Sequence, residues 1–239
     1  MIIIPARVES SRFPNKVLAD IDGLPMVIRT AKAVEDIDRV LIATDSKDVI
    51  DVAKSSGFDA VMTSSSCSSG TDRIYEAATK LGVNDDEIII NVQADEPFIE
   101  DSVVKTLYDL TKEYADDERV IATTLYKLVD YTHAKSPNLV KVVTSIDGKA
   151  LYFSRALIPY DRDASRDKFK AHLGLYGFTY KKLKAFCQMG NSYLEDIEKL
   201  EQLRVLENSY QIAIKEVVSH SFGIDTKEDL ERALKMHTI

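Results

Sequence analysis

The stretch Glu87-Ile-Ile-Ile-Asn-Val-Gln-Ala-Asp-Glu-Pro97 joins an apolar, β-branched run to an abruptly polar end. The apolar part is typical of a strand buried on both faces of a parallel sheet, and Pro97 stops that strand. Ligands of open α/β sheets bind beyond the carboxyl ends of the strands, so Asp95 lies where a carboxylate can bind Mg²⁺. Asp95 and Glu96 are equally suited to capping the next helix, and the neighbouring sequence has to decide.

The composition favours a globular α/β protein with small-molecule partners. The chain has 239 residues, 45% of them hydrophobic and 29% charged, and its formal net charge of -8 argues against an extended nucleic-acid interface. Cys67 and Cys187 match no metal or redox spacing, which indicates a reducing cytoplasm. Residues 1–7 are expected to form a first strand rather than a signal peptide. No apolar run reaches the ~18 residues that span a bilayer, so no membrane partner is expected.

Strand and helix patterns alternate along the first half of the chain. Short apolar strands are predicted at residues 2–4, 39–43, 60–62 and 88–92. Each is followed by a helical pattern, beginning near Pro25, Ser46, Ser69 and Val103. This alternation predicts a Rossmann-like α/β fold, with a mostly parallel sheet flanked by helices and right-handed crossovers.

The second half is richer in strands. We predict strands at 120–126, 172–178 and 212–217, a hairpin of 139–143 with 150–153, and helices at 180–189, 194–207 and after Thr226. Thr226 and Asp229 resemble a capping box, and Asp225 is a loop carboxylate just before it. We therefore expect a single domain, 1–239, whose halves are 1–125 and 126–239, with a β-rich extension that forms a subunit interface.

The loop after the first strand carries three cations: Arg7, Arg12 and Lys16. Loops that cross a strand's carboxyl end in this way commonly bind phosphates through backbone N–H groups, Arg and Lys. Neither of the two commonest nucleotide fingerprints is present. The alternative is a solvated charged loop, but three cations directly after a first strand favour a phosphate site.

Seven motifs, in chain order, identify a family resemblance that covers essentially the whole chain. They are Ile4-Pro-Ala-Arg7 with Ser11-Arg-Phe-Pro-Asn-Lys16, Ser69-Gly-Thr-Asp-Arg73, Asn91-Val-Gln-Ala-Asp-Glu-Pro97, Leu151-Tyr-Phe-Ser-Arg155, His172-Leu-Gly-Leu-Tyr176, Leu200-Glu-Gln-Leu-Arg204 and Gly223-Ile-Asp-Thr226. Together they resemble the 3-deoxy-manno-octulosonate (Kdo) cytidylyltransferases. Two positions depart from the family's usual Gly: Ala94, which leaves less room for a ligand, and Asn15, which still tolerates a left-handed backbone.

The resemblance implies transfer of CMP from CTP to the anomeric hydroxyl of Kdo, with release of pyrophosphate, for lipopolysaccharide synthesis. It makes Lys16, Arg12, Asp95 and Asp225 the candidate catalytic residues, with Asp95 and Asp225 ligating Mg²⁺. The candidate nucleotide-binding residues are Pro5, Ala6, Arg7, Ser11, Arg12, Lys16, Ser69, Gly70, Thr71 and Arg73. The first half would thus bind nucleotide and the second half the sugar, in a homodimer.

Kdo is a carboxylate, and donors are expected to meet it. The candidate sugar-binding residues are Gln93, Arg155, His172, Tyr176, Glu198 and Gln202. Five of the six have a purely structural alternative. It is an ion pair for Arg155, a core histidine for His172, packing for Tyr176, and the solvent-exposed face of one amphipathic helix for Glu198 and Gln202.

Two other functions compete with this interpretation. A cytidylyltransferase for 8-amino-Kdo or a sialic acid would share the nucleotide motifs, although Arg155 and His172 favour a Kdo-type acid. A catalytically inert sugar-nucleotide sensor would share the fold, although intact Lys16, Asp95 and Asp225 argue against it.

Overall fold

The computed structural model describes residues 1–8, 13–165 and 167–237, and of residues 236 and 237 only the backbone. The chain forms two compact units, residues 1–105 with 219–239 and residues 106–218. The strands are β1 Ile2–Ala6, β2 Asp20–Ile21, β3 Leu24–Pro25, β4 Val40–Thr44, β5 Asp59–Met62, β6 Ile88–Asn91, β7 Val120–Asp130, β8 Lys141–Thr144, β9 Ala150–Ser154, β10 Lys168–Thr179 and β11 Gln211–Glu216. The helices are α1 Met26–Val34, α2 Lys47–Ser55, α3 Gly70–Leu81, α4 Asp101–Glu113, α5 Tyr131–Ala134, α6 Tyr180–Gln188, α7 Tyr193–Glu198, α8 Leu203–Glu207 and α9 Lys227–His237.

The first unit is built on a parallel sheet in the order β6-β1-β4-β5. Ile2 pairs with Val40 on one side and with Ile90 on the other, so β1 is an interior strand, and its residues are buried. The chain leaves β1 towards β4 and later returns to β1's other side as β6. That reversal of strand order places a switch point, the usual ligand site of such sheets, beyond the carboxyl ends of β1 and β6.

The last segment of the chain completes the first unit. Ile224 packs with Ile21, Met26 and Ala233 in one buried cluster, and its N–H donates to the Asp95 carbonyl at 2.9 Å. These contacts bring the loop before α9 to the end of β6. The sequence analysis assigns this segment to the second half, whereas in the structure it belongs to the first compact unit.

The second unit holds a mixed sheet in the order β11-β7-β10. β11 runs parallel to β7, whereas β10 runs antiparallel to it and has an irregular register between Leu173 and Tyr176. The predicted hairpin is present as the antiparallel pair β8 and β9, and β8 also pairs with β10. Gly148 in the hairpin turn has φ 75°, the left-handed region that glycine adopts without strain. The predicted α/β class is confirmed.

The continuous helix predicted at residues 194–207 is wrong. α7 ends at Glu198, Lys199 has a left-handed φ of 53°, and α8 begins only at Leu203. Arg155 accounts for the break, because its guanidinium donates to the carbonyls of Glu198 (2.8 Å) and Lys199 (3.4 Å) that a continuing helix would have used. Glu198 and Gln202 therefore do not share one helix face.

No helix in the described part of the chain is both long enough and apolar enough to cross a membrane.

Candidate functional site

A cavity of about 860 Å³ lies at the switch point of the first unit. The loop after β1 contributes Arg7 and Lys16 to its lining, the segment after β6 contributes Gln93 and Asp95, and the loop before α9 contributes Asp225. Residues up to 209 positions apart in the sequence thus meet at one point, since Lys16 contacts Asp225 directly. The sheet topology explains why Lys16 and Asp95 meet, because parallel strands deliver their following loops to the same edge. The packing of Ile224 then brings Asp225 to them.

A single ammonium group links the two predicted metal ligands. Lys16 Nζ donates to Asp95 Oδ2 at 2.7 Å and to Asp225 Oδ1 at 3.0 Å. Burial by itself disfavours the charged form of Lys16, but the charges and hydrogen bonds of Asp95 and Asp225 outweigh it and raise the pKa of Lys16. Lys16 is therefore a cation at any working pH.

The same two carboxylates fit a divalent cation. Asp95 Oδ2 and Asp225 Oδ1 both reach one positive atom, so they converge on a common position, and hard anionic oxygens are what Mg²⁺ prefers. Among the described residues, no group of three or more His, Cys, Asp or Glu side chains is arranged so that it could hold a metal ion. Two carboxylates suffice, because Mg²⁺ is usually bound by one or two of them together with substrate phosphates and waters.

Asp225 is positioned by groups on both sides of it in the sequence. The Asp229 carboxylate accepts from the backbone N–H groups of Asp225 (3.2 Å) and Thr226 (3.1 Å), and the predicted capping box of Thr226 with Asp229 is confirmed. Further back, Glu100 accepts from the N–H of His220 (2.6 Å) and the hydroxyl of Ser219 (2.8 Å). Burial opposes the charge on Glu100, but these hydrogen bonds prevail and lower its pKa.

The N-terminus of α3 borders the cavity close to β1. Ser69 caps it through a complete capping box with Asp72. Gly70 packs closely here, because a Cβ would lie 3.3 Å from Pro5 Cγ and 3.5 Å from Gln93 Oε1. These contacts place the start of the helix against the end of β1, where its backbone N–H groups can face an anionic ligand.

Arg73 is buried and its guanidinium is held by protein groups. It donates to Thr63 Oγ1 at 2.6 Å and to Asp45 Oδ2 at 2.8 Å. Thr63 follows β5 and Asp45 follows β4, so Arg73 ties both loops to α3. Its predicted contact with nucleotide stays a prediction. Asp45 was not singled out by sequence reasoning, although its position directly after a strand was the available signal.

The other predicted nucleotide residues fall into three groups. Pro5 and Arg7 line the cavity, whereas Ala6 and Thr71 are buried. Ser11 and Arg12 lie outside the described residues.

The two departures from the family's usual glycines are accommodated. Asn15 has φ 56° and ψ 26°, so it does adopt the left-handed conformation. Ala94 is buried beside the cavity, and its carbonyl accepts from Thr30 Oγ1 at 2.9 Å. The backbone at position 94 is thus anchored by a buried side chain, with alanine in place of the family's usual glycine.

Cys67 also lines the cavity but is not poised to react. Its thiol donates to Glu76 Oε2 at 3.2 Å. Burial and the Glu76 carboxylate raise the pKa of Cys67 to about 11, so the thiol stays protonated and is a poor nucleophile.

In the second unit, Arg155 and Glu198 belong to one hydrogen-bond network. Glu198 accepts from the Ser154 hydroxyl (2.5 Å) and from the Arg155 N–H (2.9 Å). The Arg155 guanidinium donates to the carbonyls of Glu198 and Lys199, and also to that of Pro137 at 3.2 Å. The two predicted sugar residues are thus adjacent and hold each other in place.

A buried lysine, Lys141, is bonded to this network through the Arg155 carbonyl. Lys141 is fully buried, and its ammonium donates to the carbonyls of Arg155 (2.6 Å), Leu139 (2.6 Å) and Ser136 (2.9 Å). Burial is the largest influence on Lys141 and lowers its pKa. Sequence reasoning missed Lys141, because a lysine between valines in a strand gives no sign that it points inward.

His172, Tyr176 and Gln202 are buried. The rings of His172 and Tyr176 have centroids 5.5 Å apart, and Phe153 stacks edge-on against His172 at 4.8 Å. Gln202 Nε2 is buried, with no hydrogen-bond partner among the residues that the structure describes. Burying an amide nitrogen without a hydrogen-bond acceptor destabilises the fold. A ligand oxygen that accepts from Gln202 Nε2 would account for this arrangement.

The first comparison with known proteins defines the class. Residues 1–216 match the family described as Cytidylyltransferase. The parallel sheet, the cavity at its switch point and the lysine between two carboxylates all lie within or beside that span. The protein is a cytidylyltransferase.

Close relatives then define the family. The chain is 51% identical to the 3-deoxy-manno-octulosonate cytidylyltransferase of a Nitratiruptor species, over 97% of each chain. It is 45% identical to the protein of the same name from Wolinella succinogenes, over 99% of this chain and 98% of the relative. The solved structure of CMP:2-keto-3-deoxy-manno-octonic acid synthetase complexed with CTP is similar, with a TM-score of 0.90, 36% identity and coverage of 99% and 97%. The chain belongs to the 3-deoxy-manno-octulosonate cytidylyltransferase family.

Proposed function

We propose that this protein transfers CMP from CTP to the anomeric hydroxyl of Kdo, releasing pyrophosphate and giving CMP-Kdo for lipopolysaccharide synthesis. Full-length relatives with this name support the proposal, as does a similar structure described as a complex with CTP. The observation that carries it is the meeting of Lys16, Asp95 and Asp225 in the cavity at the switch point.

Lys16 acts on the leaving group. An ammonium has three donors, and within the described residues Lys16 uses two of them, on Asp95 and Asp225. Once bound, Mg²⁺ would take up these two carboxylates, which would leave the ammonium donors of Lys16 for phosphate oxygens of CTP. Because negative charge develops on pyrophosphate as it departs, a fixed cation there stabilises the transition state more than the ground state. Arg7 and Arg12 add positive charge from the same loop.

Asp95 and Asp225 hold Mg²⁺. When bound, Mg²⁺ neutralises charge on the phosphoryl oxygens and polarises the attacking hydroxyl. The chain's own part is geometric: Asp229 and Glu100 fix the Asp225 loop, and the N–H of Ile224 ties that loop to the Asp95 carbonyl. The two carboxylates are thereby held at a fixed separation before substrate arrives.

The nucleoside lies against the N-terminus of α3. Ser69, Gly70 and Thr71 offer backbone groups there, and Gly70 leaves room between Pro5 and Gln93. Arg73 shapes this side of the cavity through its bonds to Asp45 and Thr63.

Arg155 recognises the acid sugar. A guanidinium has five N–H donors, and within the described residues Arg155 directs three contacts to backbone carbonyls. The remaining donors suit the Kdo carboxylate, which a planar guanidinium binds in a way that lysine does not imitate. Glu198, Gln202 and Tyr176, which belong to the same unit as Arg155, offer groups to the sugar hydroxyls.

A substrate panel tests the proposal. Pyrophosphate release and CMP-sugar formation are measured with CTP and Mg²⁺ against Kdo, 8-amino-Kdo and sialic acid, with Mn²⁺ and EDTA as metal controls. We expect the highest kcat/KM with Kdo and none after EDTA. Preference for 8-amino-Kdo would shift the assignment to that sugar, and no turnover with any acid would leave an inert sensor as the function.

We also propose that the protein is a cytoplasmic homodimer joined through the hairpin of β8 and β9. Val142 and Phe153 are buried within the unit, whereas Leu151 and Ile146 are exposed. An apolar face left exposed beside a covered one is typical of a subunit interface. The absence of a disulfide at Cys67 and Cys187 suits a reducing compartment.

Light scattering at micromolar concentration tests the dimer. Wild type should have twice the chain mass, and Leu151→Asp should shift it towards monomer, whereas Leu128→Asp, on β7, serves as an exposed apolar control in the same unit. A monomeric wild type would refute the proposal.

A further inference from the structure

The hydroxyl of Thr124 meets three polar atoms at the irregular stretch of β10. Thr124 Oγ1 lies 2.6 Å from the Leu175 carbonyl, 3.3 Å from the Leu173 carbonyl and 2.9 Å from His172 Nε2. The register between β10 and β7 shifts between Leu173 and Tyr176, so these carbonyls face a side chain instead of a regular ladder partner. All of these atoms are in the second unit.

A hydroxyl has one proton, and its position can be assigned. Two oxygen atoms 2.6 Å apart require a proton between them, and a carbonyl has none to give. The Thr124 proton therefore lies on the line to the Leu175 carbonyl. Towards His172 the Thr124 oxygen presents a lone pair, and the contact of 2.9 Å is a hydrogen bond only if His172 Nε2 carries the proton.

His172 is held as a neutral ring in this arrangement. Burial lowers its pKa to about 3, so a second ring proton is not bound at working pH. The ring is packed between Phe153 and Tyr176, with centroids 4.8 and 5.5 Å away. In the described part of the chain no protein group bonds to Nδ1, which is left as an acceptor.

We infer that Thr124 is a positioning residue that fixes His172 in the Nε2–H tautomer, so that His172 Nδ1 accepts a hydrogen bond from a hydroxyl of the acid sugar. This inference rests on the proposed function, because the hydrogen bond to His172 Nδ1 requires an acid sugar as substrate. It departs from the expectation that His172 donates to the Kdo carboxylate, since a bare ring nitrogen repels a carboxylate. The carboxylate is then left to Arg155, and His172 distinguishes a hydroxyl group.

The tautomer is measurable in the free protein without substrate. Two-bond ¹H–¹⁵N correlation spectra of the histidine rings distinguish a protonated from an unprotonated nitrogen, and comparison with His172→Gln assigns the signals of His172. We expect Nε2 protonated and Nδ1 unprotonated, unchanged between pH 8 and pH 5. An Nδ1–H ring, or a doubly protonated ring at pH 6, would overturn the inference.

Two substitutions at Thr124 separate the hydroxyl from packing. Thr124→Ser keeps the hydroxyl and should keep both the tautomer and the KM for Kdo. Thr124→Val keeps the shape but removes the acceptor, so we expect a mixed tautomer and a KM for Kdo raised roughly three- to twenty-fold, with the KM for CTP within about twofold. Equal tautomer and KM in the Val and Ser variants would contradict the assignment.

The outcomes separate this inference from the proposed function. If Thr124→Val does not fold, the spectra of wild type and Thr124→Ser still decide the tautomer. Formation of CMP-Kdo by a wild type with an Nδ1–H ring would overturn the inference alone. The expected tautomer in a protein that transfers nothing to Kdo would confirm that Thr124 sets the tautomer, but would overturn both the function and the hydrogen bond from Nδ1 to the sugar.

Discussion

The charged residues of the first unit and the sugar residues of the second are held in opposite ways. Lys16, Asp95 and Asp225 line an open cavity and bond to one another, so a ligand can replace part of what they already share. Arg155 and His172 instead bond to carbonyls and a hydroxyl of their own unit. In the first unit the residue types alone indicate the chemistry. In the second unit, the hydrogen bonds that each side chain already makes determine which donors and acceptors remain for a ligand.

The largest effect should come from breaking the open, charged site. Asp95→Asn keeps the size of the side chain but removes one of the two charges that converge on a cation, and we expect turnover to fall about 100- to 1000-fold. Circular dichroism and thermal unfolding should match wild type. Asp59→Asn, at an exposed carboxylate of the same unit paired with Arg39, is the matched control and should stay near wild type. Near-normal turnover of Asp95→Asn at saturating Mg²⁺ would contradict the metal assignment.

The bonded network of the second unit can be broken at a buried ion pair. Arg204 and Glu195 are both buried and form a bidentate pair that joins α8 to α7, the segment that carries Glu198 and Gln202. Arg204→Met leaves Glu195 buried without its charge partner, so we expect a loss of about 3–5 kcal/mol in the free energy of unfolding, and a raised KM for Kdo.

The double variant Glu195→Met with Arg204→Met is the control for that prediction. Since it removes both charges, most of the stability should return in urea unfolding. A loss below about 1 kcal/mol in Arg204→Met alone would show that the pair is not what holds the segment.

A smaller and pH-dependent effect should follow from Glu100, which anchors the Asp225 loop. The pKa of Glu100 is lowered in the folded protein from an ordinary value of 4.5, so its stabilisation is present above pH 4.5 and is lost as pH falls through the lowered value. Glu100→Gln should destabilise the protein by about 1–2 kcal/mol at pH 7. The gap to wild type should shrink as the pH of the unfolding measurement falls below 4.5. A gap that widens in acid would contradict the role of the charge.

The sequence predicts the site of the first unit well, because two of its residues directly follow predicted strands. Asp95 directly follows a buried strand and Lys16 follows the first strand, so a parallel sheet brings them together without further information. The meeting with Asp225 was predicted only through the family resemblance, because it depends on how Ile224 packs against Met26 and Ile21.

The second unit was predicted less completely for a physical reason. Residues 194–207 contain neither Gly nor Pro, and local propensity favours one helix there. The break at Lys199 is stabilised by the distant Arg155, and Lys141 is buried because carbonyls from three loop positions surround its ammonium. Such tertiary hydrogen bonds leave no periodic signal in the sequence.

Calorimetry of CTP binding in the absence of sugar tests the division between the two units most directly. Wild type, Lys16→Met and Arg155→Lys are titrated with CTP and Mg²⁺, and the KM for Kdo is measured beside them. The account predicts that Lys16→Met weakens CTP binding at least about tenfold, because a charge-assisted contact to phosphate is lost. Arg155→Lys should leave CTP affinity within about twofold and raise the KM for Kdo roughly 30- to 1000-fold. An equal loss of CTP affinity in both variants would contradict the account.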